Sequence, residues 1–147
     1  MTSHWLYKGK ILQEVPAGQF GFVYEITNKL TDKKYIGRKY FGKTRRVKKK
    51  GQTRRTVKRT ESDWRTYTGS SKQLNNDIAK HGKSNFMFEI VIVAKTKGQV
   101  NYLEENIQHR RQVILREDYY NDCIGSRKWL SVKIPPEISK KLLSGSR

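Results

Sequence analysis

Acidic residues are scarce in this chain: 13 Asp and Glu stand against 32 Lys and Arg, leaving a net charge of +19 over 147 residues. So large an excess of one sign opposes compaction unless a polyanion shares the charge, and nucleic acid is the first partner to consider. A membrane surface is the competing polyanion. No apolar run approaches the roughly 18 residues that a span needs. The opening residues, Met1-Thr2-Ser3-His4-Trp5, lack a signal peptide's basic start and apolar stretch. These absences predict a soluble, cytoplasmic protein with no membrane association. Cysteine is nearly absent too. The lone Cys123 excludes an internal disulfide and a thiolate zinc cluster, and is expected to serve as a small buried apolar residue. Internal repeats are lacking, and the length predicts one domain, residues 1–147, with a modest core plus extensions.

What is present begins with two short strings. Phe22-Val23-Tyr24 runs on into Glu25-Ile26-Thr27-Asn28, and Tyr35-Ile36-Gly37 follows after a polar turn from Asn28 to Lys34. Both read as strands, over 21–27 and 33–40, and the hairpin sets two tyrosines close together beside a glycine. Before them, residues 1–19 read as an irregular arm with one short strand. After them, Arg38 to Arg59 carries 12 basic residues in 22 positions and no acid. These are Arg38, Lys39, Lys43, Arg45, Arg46, Lys48, Lys49, Lys50, Arg54, Arg55, Lys58 and Arg59. The block repels itself and is expected to be mobile without a partner. Its residues from Lys39 onward are candidates for phosphate-backbone contact.

Beyond the block, Leu74, Ile78 and Ala79 sit at helical spacing between Ser70 and His81, with Gly82 as C-cap. Phe86 to Val93 is the strongest strand, alternating at first and then continuously apolar. Gln99 to about Leu115 reads as a helix, and Trp129 to Ile134 as a further ordered segment. Pro135-Pro136 introduces a short helix through Leu143. Trp64 and Tyr67 are expected to pack in the core.

The Tyr24 tripeptide, the spacer and Tyr35-Ile36-Gly37 together resemble the GIY-YIG nuclease family, with Phe-Val-Tyr standing for Gly-Ile-Tyr. Tyr67-Thr68-Gly69-Ser70-Ser71, Lys80-His81-Gly82 and Asn85-Phe86 are similar to the middle of that domain in phage-borne and intron-associated members. The resemblance spans about residues 20–122. It implies an α+β fold, a three-stranded antiparallel sheet flanked by helices. A basic insertion (about 38–60) follows strand two, and a C-terminal extension covers 123–147. It further implies a metal-dependent DNA endonuclease of phage or mobile-element origin.

The family places one metal-binding acid on the helix after strand three. Glu104 and Glu105 are adjacent there, and only one can face a site, since neighbouring helical residues point about 100° apart. Phage relatives show Tyr-Leu-Glu here with Gln one turn on, and the resemblance of Tyr102-Leu103-Glu104 and Gln108 to that pattern implies Glu104. A single carboxylate implies one hard divalent ion, Mg²⁺ in the first instance and Mn²⁺ as the substitute. By the same resemblance Tyr24 is the base or base-relay, and Tyr35 orients water or phosphate. A phenol titrates near 10, so surrounding cations are expected to lower it. The family's phosphate-binding arginine falls about ten residues past the second tyrosine, at Arg45. An insertion would transfer it to Arg54, Arg55 or Arg59, and Arg38 could touch the same phosphate. Asn121, in Tyr120-Asn121, closes the site by resemblance.

The rival class is a non-catalytic basic nucleic-acid-binding protein, which explains the charge but not Tyr24, Tyr35, Glu104 and Asn121 together. A protein binding an acidic partner explains less. Double-stranded DNA is the expected substrate. Target sequence, nicking against double-strand cutting, oligomeric state, and a homing, restriction-like or degradative role stay open at this level.

Overall fold

The computed structural model describes residues 2–127 and 135–144. Its centre is strand β3 (Gly21–Asn28), whose residues from Gly21 to Tyr24 are all buried. Strands β4 (Lys34–Tyr40) and β7 (Phe86–Ala94) flank it antiparallel on either side. These are the three strands the sequence predicts. Two more come from the N-terminal arm: β1 (Leu6–Tyr7) and β2 (Lys10–Ile11) extend the sheet in the order β2-β1-β7-β3-β4. Only β1 runs parallel to its neighbour β7. The arm is more ordered than expected because Trp5 is fully buried and its indole N–H donates to the Trp64 carbonyl at 2.6 Å.

The β3–β4 turn is held by Asn28, whose Oδ1 accepts from the Leu30 N–H at 3.0 Å while its Nδ2 donates to the Tyr120 hydroxyl at 3.1 Å. Between Val23 and Tyr24 the register against β7 slips, so that Val23 faces Ile92 but Tyr24 faces Ile90. Such a bulge bends a strand and re-aims the next side chain.

The sheet divides two apolar clusters. On one face Phe22, Tyr24 and Ile26 pack with Trp5, Trp64, Leu74 and Phe88. On the other, Val23 and Ile36 pack with Val113, Tyr119, Ile124, Leu103 and Ile107. Helix α1 (Lys72–His81) starts at Ser71, whose Oγ accepts from the Leu74 N–H at 3.2 Å, and stops at Gly82 with φ +89°. Helix α2 (Lys97–Arg110) is capped by Thr96 and ends five residues before the expected Leu115. The left-handed backbone of Gln112, φ +52°, is incompatible with further helix. Helix α3 (Pro136–Leu143) forms after Pro135 as predicted. The segment expected at Trp129–Ile134 lies outside the described residues. Cys123 is half-buried rather than buried, with its Sγ 3.1 Å from Asp122 Oδ1.

The basic block departs most from expectation. Instead of a mobile stretch it forms β5 (Gly42–Val47) and β6 (Thr56–Glu61), an antiparallel ribbon separate from the main sheet. Charge counting missed the β-branched residues Thr44, Val47, Thr56, Val57 and Thr60, which favour extension, and Gly51 at φ +86° in the connection. The ribbon is tied at its root. Ser62 Oγ donates to the Tyr40 carbonyl at 2.7 Å, and the Arg59 guanidinium lies over the Phe20 ring at 4.3 Å. No helix among the described residues is long and apolar enough to cross a membrane.

Candidate active site

Tyr24 and Gly37 are direct partners across β3 and β4. A Cβ at Gly37 would stand 2.6 Å from Tyr24 Cζ and 2.9 Å from Tyr35 Cε2. A Cβ at Gly69, whose φ is +85°, would likewise meet the Tyr24 hydroxyl at 3.1 Å. The Tyr24 phenol therefore packs against two glycines, and this explains why the second tripeptide ends in glycine. The Tyr24 and Tyr35 rings are 6.2 Å apart, and Tyr67 meets Tyr24 edge-on. The Tyr35 hydroxyl is 3.2 Å from Ser70 Oγ, so the turn leading into α1 covers the tyrosine pair.

The carboxylate arrives from the other face of the sheet. Val100, Glu104 and Gln108, spaced by four, are the buried stripe of α2, while Glu105 is exposed. Between the two adjacent acids, the helix turns Glu104 inward. Its Oε1 accepts from Arg38 Nη1 at 2.5 Å. Arg38 sits on β4 opposite Val23, and its guanidinium also lies over Tyr40, whose hydroxyl donates to Asn101 Oδ1 at 2.5 Å.

Both halves converge on β4 because β4 is the sheet's edge, with outward backbone groups that need partners. Lys34 N–H donates to the Asp118 carbonyl at 2.9 Å, and the Lys34 carbonyl accepts from Tyr120 N–H at 2.7 Å. At Ile36, Asn121 acts as a strand substitute. Its Oδ1 accepts from Ile36 N–H at 3.0 Å and its Nδ2 donates to the Ile36 carbonyl at 2.8 Å. Gln108 Nε2 donates to the same carbonyl at 3.0 Å. Next along, the Arg38 backbone amide lies near enough to Glu104 to help draw its carboxyl back down. One row of edge partners thus carries the acid.

Burial sets the electrostatics. It pushes the Tyr24 hydroxyl well above its ordinary range, and the neighbouring Tyr35, Tyr67 and Glu104 push the same way, while Arg38 pulls only weakly down. Burial likewise raises Tyr35 to about 12, against a downward pull from Ser70. The expectation that cations lower these phenols is therefore reversed: Tyr24 is only 1% exposed, and desolvation of a phenolate outweighs one arginine. Burial also lifts the Glu104 carboxyl above the usual range, and Arg38 draws it part of the way back. For Arg38, burial works against the charge, but Glu104 more than offsets it and the guanidinium stays protonated.

Of the six candidates for chemistry, Tyr24 and Tyr35 pair on one face of the sheet and Arg38 and Glu104 on the other, near enough for Arg38 and Glu104 to act electrostatically on Tyr24. Asn121 is adjacent, but both ends of its amide are committed to Ile36. Arg45 is not brought to the carboxylate: it is exposed on β5, opposite Lys58. Arg54 and Arg55 lie exposed in the ribbon's connection, and Arg59 is taken up at its root. Lys39 is engaged by Asp63 at 2.7 Å and sits over Tyr67. Lys43, Arg46, Lys48, Lys49, Lys50 and Lys58 are exposed along the ribbon. Sequence reasoning missed the Arg38–Glu104 pair and the hydroxyl of Ser70. The alternation of strand residues gave the first signal available, since Arg38 shares a face with Ile36 and hence with the following helix.

The donors gathered here are oxygens, one carboxylate with phenol and serine hydroxyls nearby, which suits a hard divalent ion rather than a soft one. Among the described residues no three His, Cys, Asp or Glu side chains cluster as a ready-made metal cage. An ion bound by Glu104 would draw its other ligands from water and substrate, as magnesium commonly does.

A family model described as "Putative endonuclease segE, GIY-YIG domain" matches residues 5–124. No curated protein and no solved structure matches the chain. The matched span contains the tyrosine pair, the ribbon, Glu104 and Asn121.

Proposed function

The chain belongs to the GIY-YIG nuclease family, and we propose that it is a single-domain, metal-dependent DNA endonuclease that hydrolyses phosphodiester bonds at the Tyr24–Tyr35–Arg38–Glu104 site. One observation carries this reading. A tyrosine pair and a guanidinium–carboxylate pair flank the edge strand β4, each fixed by packing or hydrogen bonding, and the carboxylate acts electrostatically on both phenols.

Hydrolysis needs an oriented water, a neutralised phosphate and a stabilised leaving oxygen. Glu104 is the residue to hold a divalent ion, Mg²⁺ or Mn²⁺, which when bound would offset charge on the phosphate and the departing 3′-oxygen. Arg38 is protonated and partly exposed, so it can keep Glu104 on one side and offer a remaining N–H to a non-bridging phosphate oxygen. Burial keeps both phenols neutral. A neutral hydroxyl can take a proton from water only as it hands its own on, so the tyrosines serve as orienting and relaying groups rather than as phenolate bases. Tyr35, next to Ser70, is the one placed to meet the water; Tyr24, packed against Gly37 and Gly69, supports it from behind.

The net charge of +19 supports a nucleic-acid substrate, and the ribbon favours duplex DNA over a small phosphodiester. The likeness of residues 67–86 to phage-borne members supports a phage or mobile-element origin, and so action in a host cytoplasm. The non-catalytic binding reading remains the alternative. Incubation of the protein with supercoiled plasmid in Mg²⁺ and in EDTA separates them. Conversion to nicked or linear DNA in Mg²⁺ alone is the expected result, and intact plasmid in both overturns the nuclease proposal.

A further inference from the structure

The β5–β6 ribbon is the least self-sufficient part of the fold. Every residue from Lys43 to Arg46 and from Lys48 to Glu61 is exposed. Two-stranded ribbons without a buried face are marginal in water. This one also sets Arg45 directly opposite Lys58, a like-charged cross-strand pair. Like charges so placed destabilise. Among the described residues neither Arg45 nor Lys58 forms an ion pair with an acid, and the residues from Arg38 to Thr60 include none. An anion lying along the ribbon would relieve that repulsion.

The surroundings indicate how that anion lies. A groove of about 600 Å³ at the ribbon's root is walled by Arg38, Lys43, Arg59 and Lys97, with Asp63 its one acid, paired with Lys39. A second, of about 900 Å³, runs along the ribbon past Arg45, Arg46 and Lys58. Lys43 and Thr44 line both grooves, so one basic track leads from the residue that grips Glu104 out along the ribbon. The ribbon is two strands, about 4.8 Å apart, and its six-residue strands reach roughly 20 Å. That cross-section matches the major groove of B-form DNA, about 12 Å wide and 8.5 Å deep, which admits a two-stranded ribbon. The deep, narrow major groove of an RNA duplex does not.

We propose that the β5–β6 ribbon inserts into the major groove of duplex DNA, with Arg45 and Lys58 facing the groove, while the root groove seats the phosphates leading to Arg38. This rests on the nuclease reading for its substrate, but it concerns where the duplex is gripped rather than whether it is cut. Phosphate contacts fix register without reading sequence, so ribbon side chains at base edges are where this domain can discriminate among targets.

The test measures binding of the full chain to short fluorescent duplexes by anisotropy, in Ca²⁺ without Mg²⁺. One duplex is unmodified and one carries bulky C5 substituents on its pyrimidines, which fill the major groove. A third is RNA of the same sequence, and a fourth arm adds a minor-groove ligand to the unmodified DNA. The ribbon model requires about tenfold or greater loss on the C5-modified and RNA duplexes, and no displacement by the minor-groove ligand. Arg45→Ala/Lys58→Ala should bind the unmodified duplex about tenfold more weakly and lose the discrimination. It should melt no lower than the parent, since a repulsive pair has gone. A variant with residues 48–55 replaced by Asn-Gly shortens the ribbon tip without touching its root, and should fall between the two. Equal affinity for modified and unmodified DNA, or displacement by the minor-groove ligand, overturns the proposal. Plasmid cleavage in Mg²⁺ is scored separately. Absent cleavage with intact groove discrimination would sink the nuclease reading and leave the ribbon standing.

Discussion

The tyrosine pair and the ribbon are built on opposite terms. Around Tyr24 each group is fixed by a neighbour: two glycines packed against its ring and hydroxyl, Ser70 on the Tyr35 hydroxyl, Arg38 on Glu104, and Asn121 and Gln108 on the strand edge. Along β5 and β6 the side chains are exposed and like charges stand across from one another. Chemistry needs a geometry set before the substrate arrives. Grip tolerates, and here requires, a partner that completes the folded arrangement. The contrast also explains how one small domain manages both. The row of edge partners on β4 anchors the acid, and the same strand leads through Phe41 directly into the ribbon.

If the two regions divide the labour, mutations should separate it. Glu104→Gln keeps the shape and removes the charge that would hold a metal ion. Cleavage should fall by about 10³ or more, while affinity for DNA in Ca²⁺ stays the same or rises as a negative charge leaves a basic surface. Glu105→Gln, on the exposed side, should be mild. Tyr35→Phe deletes one hydroxyl from a packed ring and should cost about 10² in single-turnover rate, with the thermal midpoint nearly unchanged. Near-parental rates for both Tyr35→Phe and Tyr24→Phe would leave the pair as core residues.

A smaller effect belongs to the ribbon. Replacing Lys48, Lys49 and Lys50 by Ala should weaken binding to all sequences alike. It should flatten the dependence of log affinity on log salt by up to roughly 0.9 for each phosphate no longer neutralised, and leave the rate on saturated DNA intact. The smallest lies away from both regions. His4 stacks on Phe88 at 3.9 Å and donates from Nε2 to the Tyr67 carbonyl at 2.9 Å, with Nδ1 buried and unpartnered. Burial, with Lys83 nearby, lowers its pKa to about 4. The unfolded chain therefore binds a proton that the folded one refuses between pH 6.5 and 4. His4's contribution to stability is fully present above pH 6.5 and is lost as pH falls through that window. His4→Phe should show a shallower loss of stability over the same range in denaturant titrations. An unchanged slope would assign the acid sensitivity to other groups.

Much of the buried region was legible in the chain because its signals are local. Alternation in Phe22-Val23-Tyr24, the C-cap at Gly82 and the conclusion that only one of Glu104 and Glu105 faces inward each follow from spacing within one element, while the choice of Glu104 came from the family resemblance. Arg38 with Glu104, Asn121 with Ile36 and Trp5 with Trp64 join residues 59 to 85 positions apart, where spacing carries no information. The direction of the tyrosine pKa values was missed for a related reason. Composition shows how many cations a chain has, whereas burial, which dominates here, is a property of the packed fold. The ribbon was misread because net charge, a global quantity, was set above β-branched residues that act locally. Arg45, reached by counting ten residues from Tyr35, falls on that ribbon opposite Lys58 rather than beside Glu104.

The division of labour is tested most directly by taking Glu104→Gln and Lys48→Ala/Lys49→Ala/Lys50→Ala through two assays in parallel. These are DNA affinity in Ca²⁺, and single-turnover cleavage of saturated DNA in Mg²⁺. The account predicts opposite outcomes: the first variant binds and does not cut, and the second binds weakly but cuts at the parental rate once loaded. Loss of binding and cutting together in both variants, or cleavage that survives Glu104→Gln, would contradict it.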